Sequence, residues 1–347
     1  MLRFLTAGES HGEALLGILE GMPSGLKIDI KDINRDLKRR QQGYGRGARM
    51  QIENDHARIL SGLMRGVTIG SPIAILIKNK DFSIDKLPAV KNPRPGHADL
   101  AGILKYGFKD ARCVLERASA RETVARTGIG AICKILLAEF NIKVLSRVLM
   151  IGGERSEKLM IRKIDEAGKS KDTLGGVFEV IIKGAPPGLG SCMHGDRRLD
   201  AGLGQAIISI PAIKGVEIGN AIESSSKPGS GVHDEIFYSR KKGVYRNTNN
   251  AGGIEGGMSN GEDIVIRGYM KPISTLMDGL NTINIDTKKQ TKASTERSDV
   301  CAVQAAGVVG EAVTAFVISS ALLEKFGGDS IVETKRNYKS YIGGLKL

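Results

Sequence analysis

Two stretches decide how this chain folds: ERASARETVARTGIGAICKILLAEF at residues 116–140 and ERSDVCAVQAAGVVGEAVTAFVISSALLEKF at residues 296–326. Each runs from a Glu-Arg pair through a small polar residue, Ser119 or Asp299, into a segment rich in Ala and Gly. Gly128 and Gly130 lie in the first segment, Gly307 and Gly310 in the second. Apolar segments of this kind predict helices. One helix is expected over 123–140, with Val124, Ile132 and Leu136 inward. Another is expected over 300–326, ended by Gly327-Gly328. Residues 305–323 are the most apolar part of the chain, but Glu311 interrupts them and Ala and Gly dominate, so a buried helix is expected in place of a membrane span. Glu296 follows Glu116 by 180 residues (296 − 116), about half the chain, which raises a gene duplication with pseudo-twofold halves. Chance similarity is the competing account.

Outward from these helices, short apolar runs at 2–6 and 15–19 read as strands flanking the turn Gly8-Glu9-Ser10-His11-Gly12. Asp29 can cap a helix with Ile30, Ile33 and Leu37 on one face. Arg39 and Arg40 close that helix, just before Gly43-Tyr44-Gly45-Arg46-Gly47. Residues 67–69 and 73–77 read as paired strands broken by Gly70-Ser71-Pro72. Further strands are expected at 143–150, 177–182 and 263–270, with helices near 156–167 and 196–208. Without a regular βαβ alternation, the class is α+β. No Pro-rich or Ser-rich linker divides the chain, which predicts a single compact domain over 1–347. Residues 237–253 and 281–298 are polar, basic and poorly periodic; they read as mobile binding loops or lids, or as plain surface disorder.

The charge balance, 51 Lys+Arg against 38 Asp+Glu in 347 residues, is +13 and implies an anionic partner. Nucleic acid, a membrane surface and a phosphorylated metabolite all satisfy it. Aromatics at 4% argue against a base-stacking platform. Cys113, Cys133, Cys192 and Cys301 lie far apart, against a zinc ribbon or disulfide scaffold and for reduced cytosolic thiols. The first residues lack the apolar core of a signal peptide. Gly supplies 45 residues, nearly twice the usual share of about 7%.

Four constellations can carry chemistry. Arg39, Arg40, Arg46 and Arg49 interleave with Gly43, Gly45 and Gly47, so planar guanidinium groups can converge on a compact dianion. The bland alternative is a solvated basic helix end. His11 and His97, the latter in Arg94-Pro95-Gly96-His97-Ala98-Asp99, sit beside glycines and can serve as general acids; each could equally be structural. Residues 117–123 lead into a helix that Ser119 could cap, and hydroxyls with arginines at a helix start suit an anion. Gly252-Gly253-Ile254-Glu255-Gly256-Gly257 and Lys271-Pro272-Ile273-Ser274-Thr275 allow close approach of a flat ligand and offer it a cation and hydroxyls. No metal-ligating pattern, Walker A loop or dinucleotide fingerprint occurs.

In order and spacing, GESHG (8–12), RRQQGYGRGARM (39–50), RPGHAD (94–99), RASARET (117–123), KGVEIG (214–219), GGIEGGMSNGE (252–262), KPIST (271–275) and ERSDVC (296–301) together resemble the chorismate synthase family over nearly the whole chain. The resemblance implies an α+β fold with helices sandwiched between antiparallel sheets and an internal duplication. It implies a lyase of the shikimate pathway to aromatic amino acids. That enzyme converts 5-enolpyruvylshikimate 3-phosphate to chorismate by anti-1,4-elimination of phosphate, with reduced FMN (FMNH2) and no net redox change. NADP or NAD(P)H enters only indirectly, to reduce the flavin. The family further implies a cytoplasmic homotetramer, with no metal, nucleic acid or membrane partner. By the same resemblance His11 protonates the departing phosphate, His97 assists the flavin at its N1 side, and Asp299 relays a proton from flavin N5. Substrate would be held by Ser10, Arg40, Arg46, Arg49, Arg94, Arg121 and Arg297. Flavin would be held by Arg117, Ala118, Ser119, Pro211, Ala212, Gly256, Lys271, Pro272, Ile273, Ser274, Thr275 and Arg297. Pro211 departs from the Asn or Gln of many members, so a polar contact there falls to a backbone carbonyl. A nucleic-acid-binding basic protein and a phosphotransferase are the competing readings; the absent P-loop and kinase motifs count against the latter.

Overall fold

The computed structural model describes residues 1–47, 53–241, 243–296 and 298–345. Arg49 and Arg297, both singled out above, lie outside the described residues. Strands β1 (Arg3–Ala7), β2 (Ala14–Glu20), β3 (Ala57–Ile59) and β4 (Ile73–Lys78) form one antiparallel sheet in the order β1-β2-β4-β3. Strands β5 (Lys143–Ile151), β6 (Gly176–Lys183), β7 (Ile213–Ile218) and β8 (Ile264–Met270) form a second in the order β5-β6-β8-β7. Helices α1 (Ile30–Gln41), α2 (Asp99–Tyr106), α3 (Arg112–Ala118), α4 (Thr123–Ala138), α5 (Glu157–Lys169), α6 (Leu199–Ile208), α7 (Val303–Phe326) and α8 (Ile331–Gly344) complete the frame. The α+β class is as expected. Both sheets take their strands in the order first, second, fourth, third. A relation between the halves stays a proposal, which this shared order supports.

The layers follow from where bulk is missing. On β2 and β4, Leu15, Leu19, Ile73, Ile75 and Ile77 alternate inward and are fully buried. Helix α4 lies on them: a Cβ at Gly128 would come within 2.5 Å of Ile75 Cδ1. Helix α7 lies on the second sheet, where a Cβ at Gly310 would meet Phe178 at 2.7 Å. The two helices touch each other through Gly130, whose missing Cβ would fall 2.3 Å from the Cα of Ala312. The order is therefore sheet, α4, α7, sheet. By length and composition α7 could cross a membrane (mean hydropathy 1.8), but 72% of that stretch is buried inside the fold.

Two local expectations are corrected and a third is refined. Val67–Thr68 pairs with Leu63–Met64, whereas β4 pairs with β2 and β3. The alternating isoleucines of β4 need an apolar surface on one face, which a two-residue hairpin cannot offer. Helix α6 starts at Leu199, after a 3₁₀ turn at Gly195–Arg197. The polar stretches 237–253 and 281–298 contain antiparallel hairpins, Ile236–Ser239 with Gly243–Arg246 and Asn281–Ile283 with Gln290–Lys292. Their short strands pair only with each other, and the first hairpin carries apolar side chains on both faces, so no apolar–polar alternation marks it in sequence.

Arg39 also departs from expectation. It turns away from the glycine-rich loop and forks onto Glu311 of α7, at 2.7 and 2.6 Å. Glu311 has no solvent exposure; it also accepts from Lys134 of α4 and, at 2.6 Å, from Ser146 of β5. Asp36 of α1 accepts from Lys134 at 2.6 Å and from Arg39 at 3.1 Å. Burial opposes the Glu311 charge, but the Arg39 and Lys134 donors outweigh it and hold the carboxyl below its ordinary 4.5. Because the folded value is depressed, the stabilisation is complete above the unfolded value near 4.5 and is lost as pH falls from there through the folded value. Urea melts of Glu311→Gln near neutral pH should therefore show a loss of about 3 kcal/mol, as expected for breaking a buried ion pair. The variant should also lose less stability than the wild type between pH 5 and pH 3.

Candidate active site

The turn 8–12 is held from beneath by α3. Glu116 accepts from the backbone N–H of His11 at 2.8 Å, and both its oxygens lie 3.0 Å from His11 Nδ1. The Glu116 carbonyl accepts from the N–H of Ser10 at 2.9 Å, and Ser10 is buried. On its other side, Arg112 reaches Glu116 at 3.4 Å and Glu296 at 2.9 Å. Burial works against ionisation of Glu116, but the His11 donors and Arg112 win and keep the carboxyl below its usual range. Asn79 closes the turn from the opposite side, donating to the carbonyls of Gly12 at 2.7 Å and Ser10 at 3.2 Å.

Asn79 leads to the arginines. Its Oδ1 accepts from Arg121 Nε at 2.8 Å, and Arg121 spends its remaining donors on Asp55 at 2.6 Å and Glu53 at 3.5 Å. Arg40, at the end of α1, donates to Thr123 Oγ1 at 3.0 Å and to the Ala120 carbonyl at 2.9 Å. Its Nη1 stands 3.6 Å from Asp55 Oδ2, and neither atom has a hydrogen-bond partner. Burial, with Arg121 and Arg46 nearby, lowers the Arg40 guanidinium to about 10 although Asp55 pulls the other way, so it stays charged at neutral pH. Arg46 pairs with Asp299 at 2.9 Å and leaves a buried Nε unpartnered. Asp299 also accepts from the Gly47 N–H at 2.6 Å. Among the described residues, Arg40 Nη1 and Arg46 Nε are thus buried guanidinium nitrogens without a hydrogen-bond partner.

The loop 94–99 carries a second histidine backed by a carboxylate. Asp99 is fully buried, lies 2.5 Å from His97 Nδ1 and accepts from Arg94 through Nε at 2.9 Å and Nη2 at 3.0 Å. Burial opposes its charge, yet His97 and Arg94 hold the Asp99 carboxyl far below the ordinary range. Arg94 continues to Thr275 Oγ1 at 2.8 Å. Ser274 donates to the Gly96 carbonyl at 2.7 Å and accepts from Lys271 at 2.6 Å. Burial lowers the Lys271 ammonium, with Lys214 nearby adding repulsion. The Lys271 N–H donates to the Ala212 carbonyl at 3.0 Å. Ala212 itself sits at φ +69°, left-handed backbone that costs a residue with a Cβ about 1–2 kcal/mol.

Backbone joins these loops. Thr173 donates to the Ile273 carbonyl at 2.7 Å, and Leu174 N–H to Val300 O at 2.8 Å, so 271–275 runs beside Asp299. Thr282 donates to the Pro93 carbonyl and Ser294 N–H to Asn92 O, so 281–298 lies along the His97 loop. Ser119 accepts from the Arg121 N–H at 3.3 Å, capping the 3₁₀ turn Ala120–Glu122 that precedes α4. Arg117 donates to the carbonyls of Gly8 and Thr6, and Ala118 packs on a small core with Val90, Ile103 and Leu115. Pro272 contributes a carbonyl 3.4 Å from Lys271 Nζ. Gly256 stands apart: its neighbour Gly257 accepts from Leu199 at the start of α6, whereas Pro211 and Ala212 follow the other end of that helix. Sequence reasoning missed Glu53, Asp55, Asn79 and Glu116. Glu116 is 105 residues from His11, and no spacing rule spans that distance.

Buried cations with open donors, flanked by carboxylate-backed histidines and an aspartate, define an acid–base site for an anionic ligand on an α+β frame. The family model described as chorismate synthase matches residues 2–323. The chain is 56% identical over 348 residues to the chorismate synthase of Thermoanaerobacter pseudethanolicus, covering 99% of both. It is 50% identical to that of Solibacter usitatus, covering 100% of both. A solved structure described as a crystal structure of chorismate synthase matches with a TM-score of 0.81 at 42% identity, covering 99% of this chain and 98% of that chain. This chain belongs to the chorismate synthase family.

Open buried donors predict anion binding even without the full substrate. Inorganic phosphate at tens of millimolar should raise the melting temperature, whereas chloride at equal ionic strength should not, because only a ligand of the native state stabilises it by mass action. Arg46→Gln should remove most of that rise.

Proposed function

We propose that this enzyme eliminates phosphate from 5-enolpyruvylshikimate 3-phosphate in an anti-1,4 sense to give chorismate, as a cytoplasmic homotetramer. The observation that carries this reading is the pair of buried, unpartnered donors on Arg40 and Arg46, which suit the phosphate and carboxylate oxygens of such a substrate. Arg94 and Arg121 have their guanidinium groups engaged by Asp99, Asp55 and Glu53, and they contribute positive walls and rigid geometry. Arg49 and Arg297 are proposed to join the substrate clamp on the resemblance alone.

The residues also suit reduced FMN. A half-buried lysine next to Ser274, backbone groups at Ala212 and 271–275, and His97 at the adjoining loop offer a cation, hydroxyls and amides to a flat polyanion. Arg117, Ala118, Ser119 and Gly256 are proposed to extend that wall. Reduced FMN supplies the electron-rich ring on which the elimination depends, without net redox change, and NAD(P)H serves only to keep it reduced. His11 donates a proton to the departing phosphate. His97, oriented by Asp99, would protonate or polarise the N1 side of the flavin when it is bound. Asp299, held by Arg46 and the Gly47 N–H, accepts a proton at its carboxylate. The hairpin-bearing stretches 237–253 and 281–298 are proposed to exclude water and oxygen.

The test is anaerobic phosphate release from 5-enolpyruvylshikimate 3-phosphate with and without dithionite-reduced FMN. Phosphate and chorismate should appear in step, and only with reduced flavin; a folded, flavin-binding protein that releases neither would refute the reading. His11→Ala should lower kcat by about 10²–10⁴-fold, the usual worth of a general acid, with flavin affinity little changed.

A further inference from the structure

We propose that Glu116 is the positioning residue of His11, fixing the imidazole proton on Nδ1 so that Nε2 faces the reaction; this rests on the proposed elimination. The geometry is that of a dedicated partner. Glu116 is buried, with 3% exposure, and one residue grips the turn three ways: carbonyl to the Ser10 N–H, carboxylate to the His11 N–H, and carboxylate to Nδ1. An ionised carboxylate can only accept, so Nδ1 must be the donor in this contact. Arg112, buried on the far side, sets a cation beside the carboxylate and ties it to Glu296, three residues before Asp299. His194 and Asp196 make a similar contact at 2.7 Å, but both are largely exposed, where such a pair holds nothing in place.

The proton balance is simple. The Nε2–H bond breaks as an O–H bond forms on the leaving phosphate. The imidazolium becomes a neutral imidazole protonated at Nδ1, and Glu116 remains an anion throughout. With the wrong tautomer the ring presents an N–H where the lone pair must form, and the cycle stalls.

Nitrogen-15 NMR of the histidine rings, with His11 assigned by its loss in His11→Ala, tests this in the wild-type protein. Neutral His11 should be protonated on Nδ1; protonation on Nε2 would overturn the proposal, whatever the enzyme's activity proves to be. Glu116→Gln should leave KM within about twofold and lower kcat by ten- to a hundredfold. In the His11→Ala background the same substitution should cost less than threefold. Full additivity of the two losses would refute action through His11. A wild-type protein with the Nδ1 tautomer but no chorismate formation would sink the reaction reading and leave the tautomer assignment standing.

Discussion

Everything in this molecule depends on how closely α4 and α7 can approach. A missing side chain at Gly130 lets one helix backbone rest almost on the other at Ala312. Gly128 and Gly310 then let the pair settle onto the isoleucines of one sheet and Phe178 of the other. The layer is thin, so both sheets are held at fixed positions relative to the helix starts at Thr123 and Val303. The loops that enter those starts carry Arg117 to Arg121 and Asp299. Packing at the centre therefore sets the geometry of the chemistry at the rim.

A second constraint is charge. A chain of net charge +13 cannot bury bare guanidinium groups, so acids follow its arginines inward. Glu311 answers Arg39 and Lys134, Asp55 and Glu53 answer Arg121, and Asp99 answers Arg94. Asp299 answers Arg46 and Asp55 faces Arg40 at 3.6 Å, yet each of these two arginines keeps one buried nitrogen without a hydrogen-bond partner. Such a donor costs free energy in the absence of an anion. That cost is sustained because the surrounding frame is rigid, and a ligand that satisfies the donors recovers it as affinity.

Motifs were legible where function is local. Gly-Glu-Ser-His-Gly and Arg-Pro-Gly-His-Ala-Asp announced their histidines, and Asp99 stands two residues from the imidazole it holds. The first-turn cap of α1 by Asp29 followed from the same kind of short-range rule. What was hidden is what pairs across the chain. Arg39 looked like one of four converging arginines, yet a buried carboxylate 272 residues away takes it out of that set. The hairpins at 236–246 and 281–292 were hidden because the first carries apolar side chains on both faces and the second is polar, so neither shows a clean apolar–polar alternation.

By itself, the sequence determined the mixed class, the two small-residue helices and the glycine-, histidine- and arginine-bearing motifs of the candidate site. Those properties reside in composition and short spacing, which survive without a fold. Only the tertiary structure decided which acid answers which base, which strands neighbour each other and which donors stay open. Those are outcomes of competition among buried charges and apolar faces, and such a competition is settled by distances between residues a hundred or more positions apart.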